Sequence, residues 1–313
     1  MLSRRLLRIK VVKSLYAHIQ GDVDKIEVSL KNLRYSVDKA YELYFQMLWL
    51  IVEVRRYAAQ RIEIGRNKQL PTPEELNPNT KFVDNRLIDQ IEQSEVIGDF
   101  IQKHRLGWTA YPELIRDLYN AMVESPYYQK YMATETRTFK SDVALVKAFY
   151  MSEAVEDSEL LESVLEEQSI MWNDDLGSAL IMVVRTLEDC RASQEDIPVL
   201  PQFKNEEDWN FAKTLFSRSA RNYDENLATV ERFIVNWDVE RIALMDNLIM
   251  TTALTELKEF EEIPSKVTLD EYIEISKYYS SPGSNQFING VLDRLTSQLT
   301  ADGVIVKTGR GLK

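Results

Sequence analysis

Three arginines near the start of the chain have the residue type and spacing that bind phosphate groups. Arg4, Arg5 and Arg8 fall within one arc of about 100° if the segment is helical, because each helical residue adds about 100°. A guanidinium group donates paired hydrogen bonds to phosphate oxygens. Lys10 and Lys13 lie on another face and extend the positive end. The spacing predicts an anion-binding surface, although a solvated helix end explains the charge alone equally well.

The charge of this segment contrasts with that of the rest of the chain. The net charge is −12 over 313 residues, but residues 1–20 carry five arginines and lysines and no acid, so the remainder sums to −17. This distribution favours one localised anion-binding surface rather than a protein that coats nucleic acid.

Other reactive residue types are scarce. One cysteine, Cys190, excludes a disulfide or a cysteine zinc cage within one chain, and two histidines, His18 and His104, disfavour a histidine metal site. The sequence has no glycine-rich phosphate loop, HExxH motif, nucleophile elbow or dinucleotide fingerprint. We therefore expect no catalytic residues, no metal, no cofactor and no enzyme activity, with Cys190 a passive thiol.

The acidic stretch from Glu153 to Glu167 is interpreted as a solvated helix face. Glu162 shares a helix face with Glu159 and with Glu166, yet a two-metal carboxylate site would need histidines on the same helices, and the stretch has none.

Helices must position all of these residues. Apolar residues recur every three or four positions from Ile26 to Val54, which predicts one long helix, or two nearly continuous ones, within 23–64. No strand alternation is evident, so the predicted fold class is all-α. The stretch Pro198–Glu207 is the predicted linker between a domain over 1–200 and a domain over 201–313.

Capping signals mark two helices near the C-terminus. Thr268-x-x-Glu271 matches a capping box, and Ser281-Pro282-Gly283 predicts a turn after which Ser284 caps the last helix. Gly290 within that last helix costs about 1 kcal/mol relative to alanine, and a close helix crossing would explain its presence.

Membrane insertion is not expected. The most apolar run, Tyr44–Val54, is interrupted by Gln46 and Glu53 and is far shorter than the roughly 20 residues that span a bilayer. The basic N-terminus is broken by Lys10 and Lys13, unlike the apolar core of a signal peptide. We expect a cytoplasmic protein.

Two separated segments together resemble the NusB family of transcription factors. The first, Ser3–Tyr16, is an arginine-rich start that runs into apolar sequence. The second, from about Trp209 to Leu295, contains NWDVER at 236–241, ALTEL at 253–257, IPSKV at 263–267 and, most strongly, SNQFINGVLD at 284–293. The resemblance covers about a third of the chain. It departs at Gly283, where the family often has an acidic residue.

The resemblance implies an all-α fold of two packed helical subdomains, here with a helical insertion, because residues 21–200 match no family motif. It also implies a non-catalytic role. NusB proteins pair with the small-subunit ribosomal protein that doubles as NusE. The pair binds the boxA element of nascent RNA and helps RNA polymerase resist termination on ribosomal RNA operons.

Single-stranded RNA is bound through stacking as well as charge, so the first helix and the turn at 282–287 are predicted to form one RNA surface. The first helix offers basic groups and an aromatic ring, and the turn offers helical N–H groups, amide edges and a second ring. The predicted RNA-binding residues are Arg4, Arg5, Arg8, Lys13, Tyr16, Ser284, Asn285, Gln286 and Phe287.

Two alternatives remain at this point. One is a helical protein-interaction scaffold that has lost RNA binding, which reversing the charges of Arg4 and Arg8 would distinguish. The other is an RNA-modifying enzyme, because some RNA cytosine methyltransferases carry a NusB-like domain. Those enzymes need a Rossmann-type domain and a cysteine nucleophile, for which the helical periodicity leaves no room.

Overall fold

The computed structural model describes residues 1–21, 25–194, 196–235 and 238–312. These residues form α-helices, three short 3-10 helices and no strand, which confirms the all-α prediction. None of the described helices is long and apolar enough to cross a membrane. The α-helices are, in chain order, α1 (Arg4–Gln20), α2 (Ile26–Arg66), α3 (Pro73–Leu76), α4 (Arg86–Gln93), α5 (Glu95–His104), α6 (Pro112–Glu124), α7 (Pro126–Ala133), α8 (Phe139–Tyr150), α9 (Glu153–Glu156), α10 (Glu159–Gln168), α11 (Leu176–Asp189), α12 (Glu206–Arg221), α13 (Tyr223–Glu231), α14 (Leu244–Glu259), α15 (Ser265–Tyr279) and α16 (Ser284–Ala301).

The chain divides into two compact units. Unit 1 consists of Met1–Leu2 and Asp38–Gln202, and unit 2 consists of Ser3–Val37 and Phe203–Lys313. The sequence placed all of 1–200 in one domain. The division differs because α1 packs against α12 and α14, which groups the first helix with the C-terminal part of the chain.

Unit 1 is organised around the part of α2 that follows Asp38. From Glu42 to Leu48 every residue is buried, so this stretch lies inside the unit rather than on its surface. Side chains from elsewhere in the unit bond to its backbone. The Tyr150 hydroxyl, from α8, donates to the Met47 carbonyl at 2.6 Å, and Trp108 Nε1, from the segment between α5 and α6, donates to the Gln46 carbonyl at 3.0 Å. The helix predicted within 23–64 is one continuous helix.

Unit 2 is built on α14, whose residues 248–257 are all buried. Helices α13, α15, α12 and α1 pack against α14, and α16 packs against both α14 and α15. The buried apolar cluster at the centre of this unit consists of Val12, Val230, Ile249, Met250, Ala253, Leu254, Leu257, Tyr272, Ile275, Ile288, Val291, Leu292, Leu295 and Ile305.

Three predicted details in unit 2 are wrong. Thr268 does not cap a helix, because α15 already begins at Ser265 and the Thr268 hydroxyl donates to a buried carboxylate on α14. Gly283, not Ser284, is the N-cap of α16. A Cβ at Gly290 would meet only the Arg294 side chain, at 4.0 Å, so no close crossing explains this glycine. Positions 236 and 237 of the NWDVER motif lie outside the described residues.

Candidate nucleic-acid interface

Helix α1 is held in unit 2 by a cap and an apolar face. Ser3 is its N-cap, and the Ser3 hydroxyl accepts a hydrogen bond from the Leu6 amide at 3.1 Å. Leu7, Val11 and Leu15 are buried on one side of the helix, where α1 meets α12 and α14. This packing decides which basic residues of α1 reach solvent.

Arg8 lies on the buried side of α1, with only 4% of its side chain exposed. Its Nε and Nη2 donate to Glu256 Oε2 and Oε1 at 2.8 and 2.7 Å. The hydroxyls of Thr268 and Tyr272 donate to the same carboxylate at 2.9 and 3.1 Å. Burial opposes the charge, but hydrogen bonding to Glu256 and the charge of that carboxylate raise the pKa of Arg8.

Arg4 and Arg5 also have acidic partners, but they stay half-exposed. Arg5 donates two hydrogen bonds to Glu271, at 2.8 and 2.9 Å, and this contact raises the pKa of Arg5 against a smaller effect of burial. Arg4 Nε lies 3.1 Å from Asp208 Oδ1. The guanidinium carbons of Arg4 and Arg8 each lie 5.2 Å from the centre of the Phe211 ring.

The three arginines therefore do not form the open phosphate-binding arc that the sequence predicted. Each is matched by a carboxylate of unit 2, contributed by α12, α14 or α15. Arg8 is part of an internal ion pair. Arg4 and Arg5 are half-exposed, with 43% and 50% of their side chains accessible, but their carboxylate partners are mostly buried. Sequence alone could not show this, because the acids are more than 200 residues away.

One basic residue in the second half of α1 lies near the end of α15. Lys13 Nζ lies 5.8 Å from the centre of the Tyr279 ring, at the last residue of α15. Tyr16 is three residues further along α1, on the same face as Lys13, and is 40% exposed. Lys13 therefore lies near the end of α15, whereas the meeting of α1 with the turn at 282–287 stays a prediction.

The turn itself is shaped by a left-handed glycine. Gly283 has φ 90°, which glycine adopts without strain and which disfavours the acidic residue that the family often has here. The hydroxyls of Ser281 and Ser284 lie 2.8 Å apart, and the backbone N–H of Gln286 donates to the Gly283 carbonyl at 3.2 Å. Asn285 is half-buried, Gln286 is exposed, and Phe287 packs partly buried against the core of unit 2.

Tyr278 is a candidate that sequence reasoning missed. Its side chain is 81% exposed, beside Tyr279 and directly before the turn. Adjacent helical residues point about 100° apart, so a pair of tyrosines at the end of a helix can place only one ring against the core. Applied to Tyr278 and Tyr279, this rule predicts from the sequence that one of the two rings is exposed.

The residues considered for covalent or metal chemistry have structural surroundings. Cys190 is buried, and burial raises the pKa of its thiol to about 12. His104 Nδ1 lies 3.0 Å from Glu42 Oε1 and its ring stacks on Phe100, so this histidine is held by side chains of unit 1. Among the described residues, no cluster of three His, Cys, Asp or Glu side chains could hold a metal ion.

Comparison with known proteins places one region of the chain in a family. The family model for the NusB family matches residues 178–297. A protein from Salinibacter ruber called Transcription antitermination protein NusB is 44% identical over 103 residues, and one of the same name from Chloroherpeton thalassium is 33% identical over 105 residues. These stretches are 33% and 32% of this chain, which spans only 64% and 50% of the length of the two relatives. The similarity of Ser3–Tyr16 lies outside the family-model range and stays a prediction.

A further relative of the same name, from Natranaerobius thermophilus, is aligned over most of its length. It is 32% identical over 104 residues, which are 32% of this chain and 75% of that protein. No solved structure matches this chain significantly. From these matches we conclude that the chain belongs to the NusB family.

Proposed function

We propose that this protein is a transcription antitermination factor that binds boxA-type single-stranded RNA together with the ribosomal protein NusE. In this role it would act with RNA polymerase on ribosomal RNA operons, in the cytoplasm, and would need no catalytic group. The observation that carries the proposal is the 44% identity over 103 residues to a protein named for that function.

The proposed RNA surface is the second half of α1 with the end of α15 and the turn before α16. Lys13 would contact phosphate, and the exposed rings of Tyr16 and Tyr278 would stack on bases. Asn285 and Gln286 would hydrogen-bond to base edges. Ser284 and the half-buried Phe287 would support the turn that presents these two amides.

Arg4 and Arg5 would extend this surface along α1. Their half-exposed guanidinium groups have further N–H donors, so each can bind an RNA phosphate without leaving Asp208 or Glu271. A surface with so few available cations on an acidic protein gives modest, salt-sensitive affinity, which a second protein would strengthen.

The pairing of all three arginines favours one alternative, a helical protein-interaction scaffold that has lost RNA binding. The double charge reversal of Arg4 and Arg8 cannot distinguish the two roles, because Arg8→Glu would bury a second carboxylate beside Glu256. Arg4→Glu with Arg5→Glu is the usable variant, since both side chains are half-exposed.

Fluorescence anisotropy of a labelled boxA-type RNA, titrated with this protein at two salt concentrations with and without NusE, tests the proposal. We expect binding that weakens with salt and strengthens with NusE, and that weakens further in the Arg4→Glu/Arg5→Glu variant. Absence of binding in every condition, with the protein folded by circular dichroism, would support the scaffold instead.

A further inference from the structure

A half-open cavity of about 820 Å³ lies in unit 1, lined by α10, α11 and the segment between them. Most of it lies in the part of the chain for which the proposed function gives no role. Its apolar wall is formed by Leu165, Trp172, Leu176, Leu180, Ile181 and Val184. A concave apolar surface of this size on a folded protein is typical of a binding site.

Two large apolar side chains that line this cavity are more than half exposed to solvent. Ile181, in the middle of α11, is 56% exposed, and Met151, directly after α8, is 58% exposed. Gly177, one turn before Ile181, has open space around it, because a Cβ there would meet nothing within 4 Å. The apolar wall therefore continues to the surface and opens at the start of α11.

The rim of the cavity is acidic. Five carboxylates and a single cation, Arg185, line it. One of the five, Glu188, is neutralised by Lys147 at 2.5 Å. Within the described ranges, Glu156, Glu162 and Glu166 have no cationic partner. Glu162 and Glu166 are one turn apart on α10, so their charges lie along the groove.

We propose that this groove binds a basic amphipathic helix of a partner protein. The apolar side chains of the partner helix would contact the cavity wall around Leu180 and Ile181. The lysines or arginines of that helix would form ion pairs with Glu156, Glu162 and Glu166. The 14 residues of α11 span about 20 Å, which matches a partner helix of three to four turns. The acidic rim disfavours nucleic acid as an occupant.

The test uses the full-length protein and a fluorescein-labelled 16-residue peptide. Leucines at i, i+3, i+4 and i+7 spacing form one face of this peptide, and lysines form the other. Its controls are a scrambled peptide of the same composition and a version with glutamate for lysine. We expect saturable binding of the amphipathic basic peptide alone, measured by fluorescence anisotropy, with hydrogen-exchange protection confined to α10 and α11.

Matched variants locate the site. Glu162→Lys with Glu166→Lys should raise the peptide Kd by roughly tenfold or more, and Glu166→Lys alone should raise it by less. Glu167→Lys is the matched control for Glu166→Lys, because it makes the same charge change at the next residue, about 100° around α10 and outside the groove lining, and should leave the Kd unchanged. Gly177→Leu should block the groove, whereas Gly98→Leu fills equally open space on α5 and should not. Equal binding of the scrambled peptide, or equal effects of matched variants, would overturn the proposal.

Discussion

Arg8 on α1 and Glu256 on α14, 248 residues apart in the sequence, form a buried ion pair with two hydrogen bonds of 2.7 and 2.8 Å. The pair fixes the first helix to the central helix of unit 2. Two hydroxyls also donate to this carboxylate, so each of its oxygens accepts two hydrogen bonds, as a buried charge requires. Arg8, in the basic first helix, therefore has a structural role.

Replacing Arg8 by methionine should destabilise unit 2 strongly. The substitution leaves the Glu256 carboxylate buried without its cation, which costs about 3–5 kcal/mol. Arg5→Met, at the half-exposed pair with Glu271, should cost less than about 1 kcal/mol. Urea unfolding followed by circular dichroism measures both losses. The double variant Arg8→Met/Glu256→Gln should recover part of the loss, because it removes the buried charge while the amide oxygen still accepts a hydrogen bond from Thr268 or Tyr272. Equal small losses for both single variants would contradict the assignment.

Gly290→Ala should stabilise the protein by about 1 kcal/mol. A methyl group there meets only the flexible end of Arg294, while the helix gains the higher propensity of alanine. Gly311→Ala is the opposite case, because its Cβ would collide with the Glu261 carbonyl oxygen. Thermal unfolding should show a higher Tm for the first variant and a lower one for the second. A lower Tm for Gly290→Ala would mean that this glycine has a packing role.

Cys190 should be nearly inert in the folded protein. Burial raises the pKa of its thiol to about 12, so at pH 8 the reactive thiolate is a minute fraction. Reaction with Ellman's reagent should therefore be slow at pH 8, become faster as the pH rises towards 12, and become fast in urea. A reaction as fast in the folded as in the unfolded protein would show that the thiol is accessible and ionised.

Helix positions were largely predictable because the apolar repeat is a local signal. The repeat from Ile26 to Val54 predicted α2, and the turn signal Ser281-Pro282-Gly283 predicted where α16 begins. Thr268 shows where local signals fail. A threonine followed three residues later by glutamate fits a cap, but here its hydroxyl satisfies a buried carboxylate on another helix.

The site was less predictable because its electrostatics depend on long-range partners. A helical wheel places Arg4, Arg5 and Arg8 on one side of α1. The neighbouring sequence, however, does not identify Glu256 and Glu271 as the carboxylates that pair with Arg8 and Arg5. The approach of Lys13 to Tyr279 follows from packing of α1 in unit 2, whereas the sequence placed α1 in the domain over 1–200.

The central claim, that RNA binds where the second half of α1 meets the end of α15, is tested most directly by Lys13→Glu. Lys266→Glu is the matched control, because it makes the same charge change on α15 about 20 Å from Tyr279 along the helix. In anisotropy titrations of boxA-type RNA with NusE present, Lys13→Glu should raise Kd by roughly five- to tenfold, and Lys266→Glu should leave Kd almost unchanged. Equal Kd values for the two variants would contradict the account.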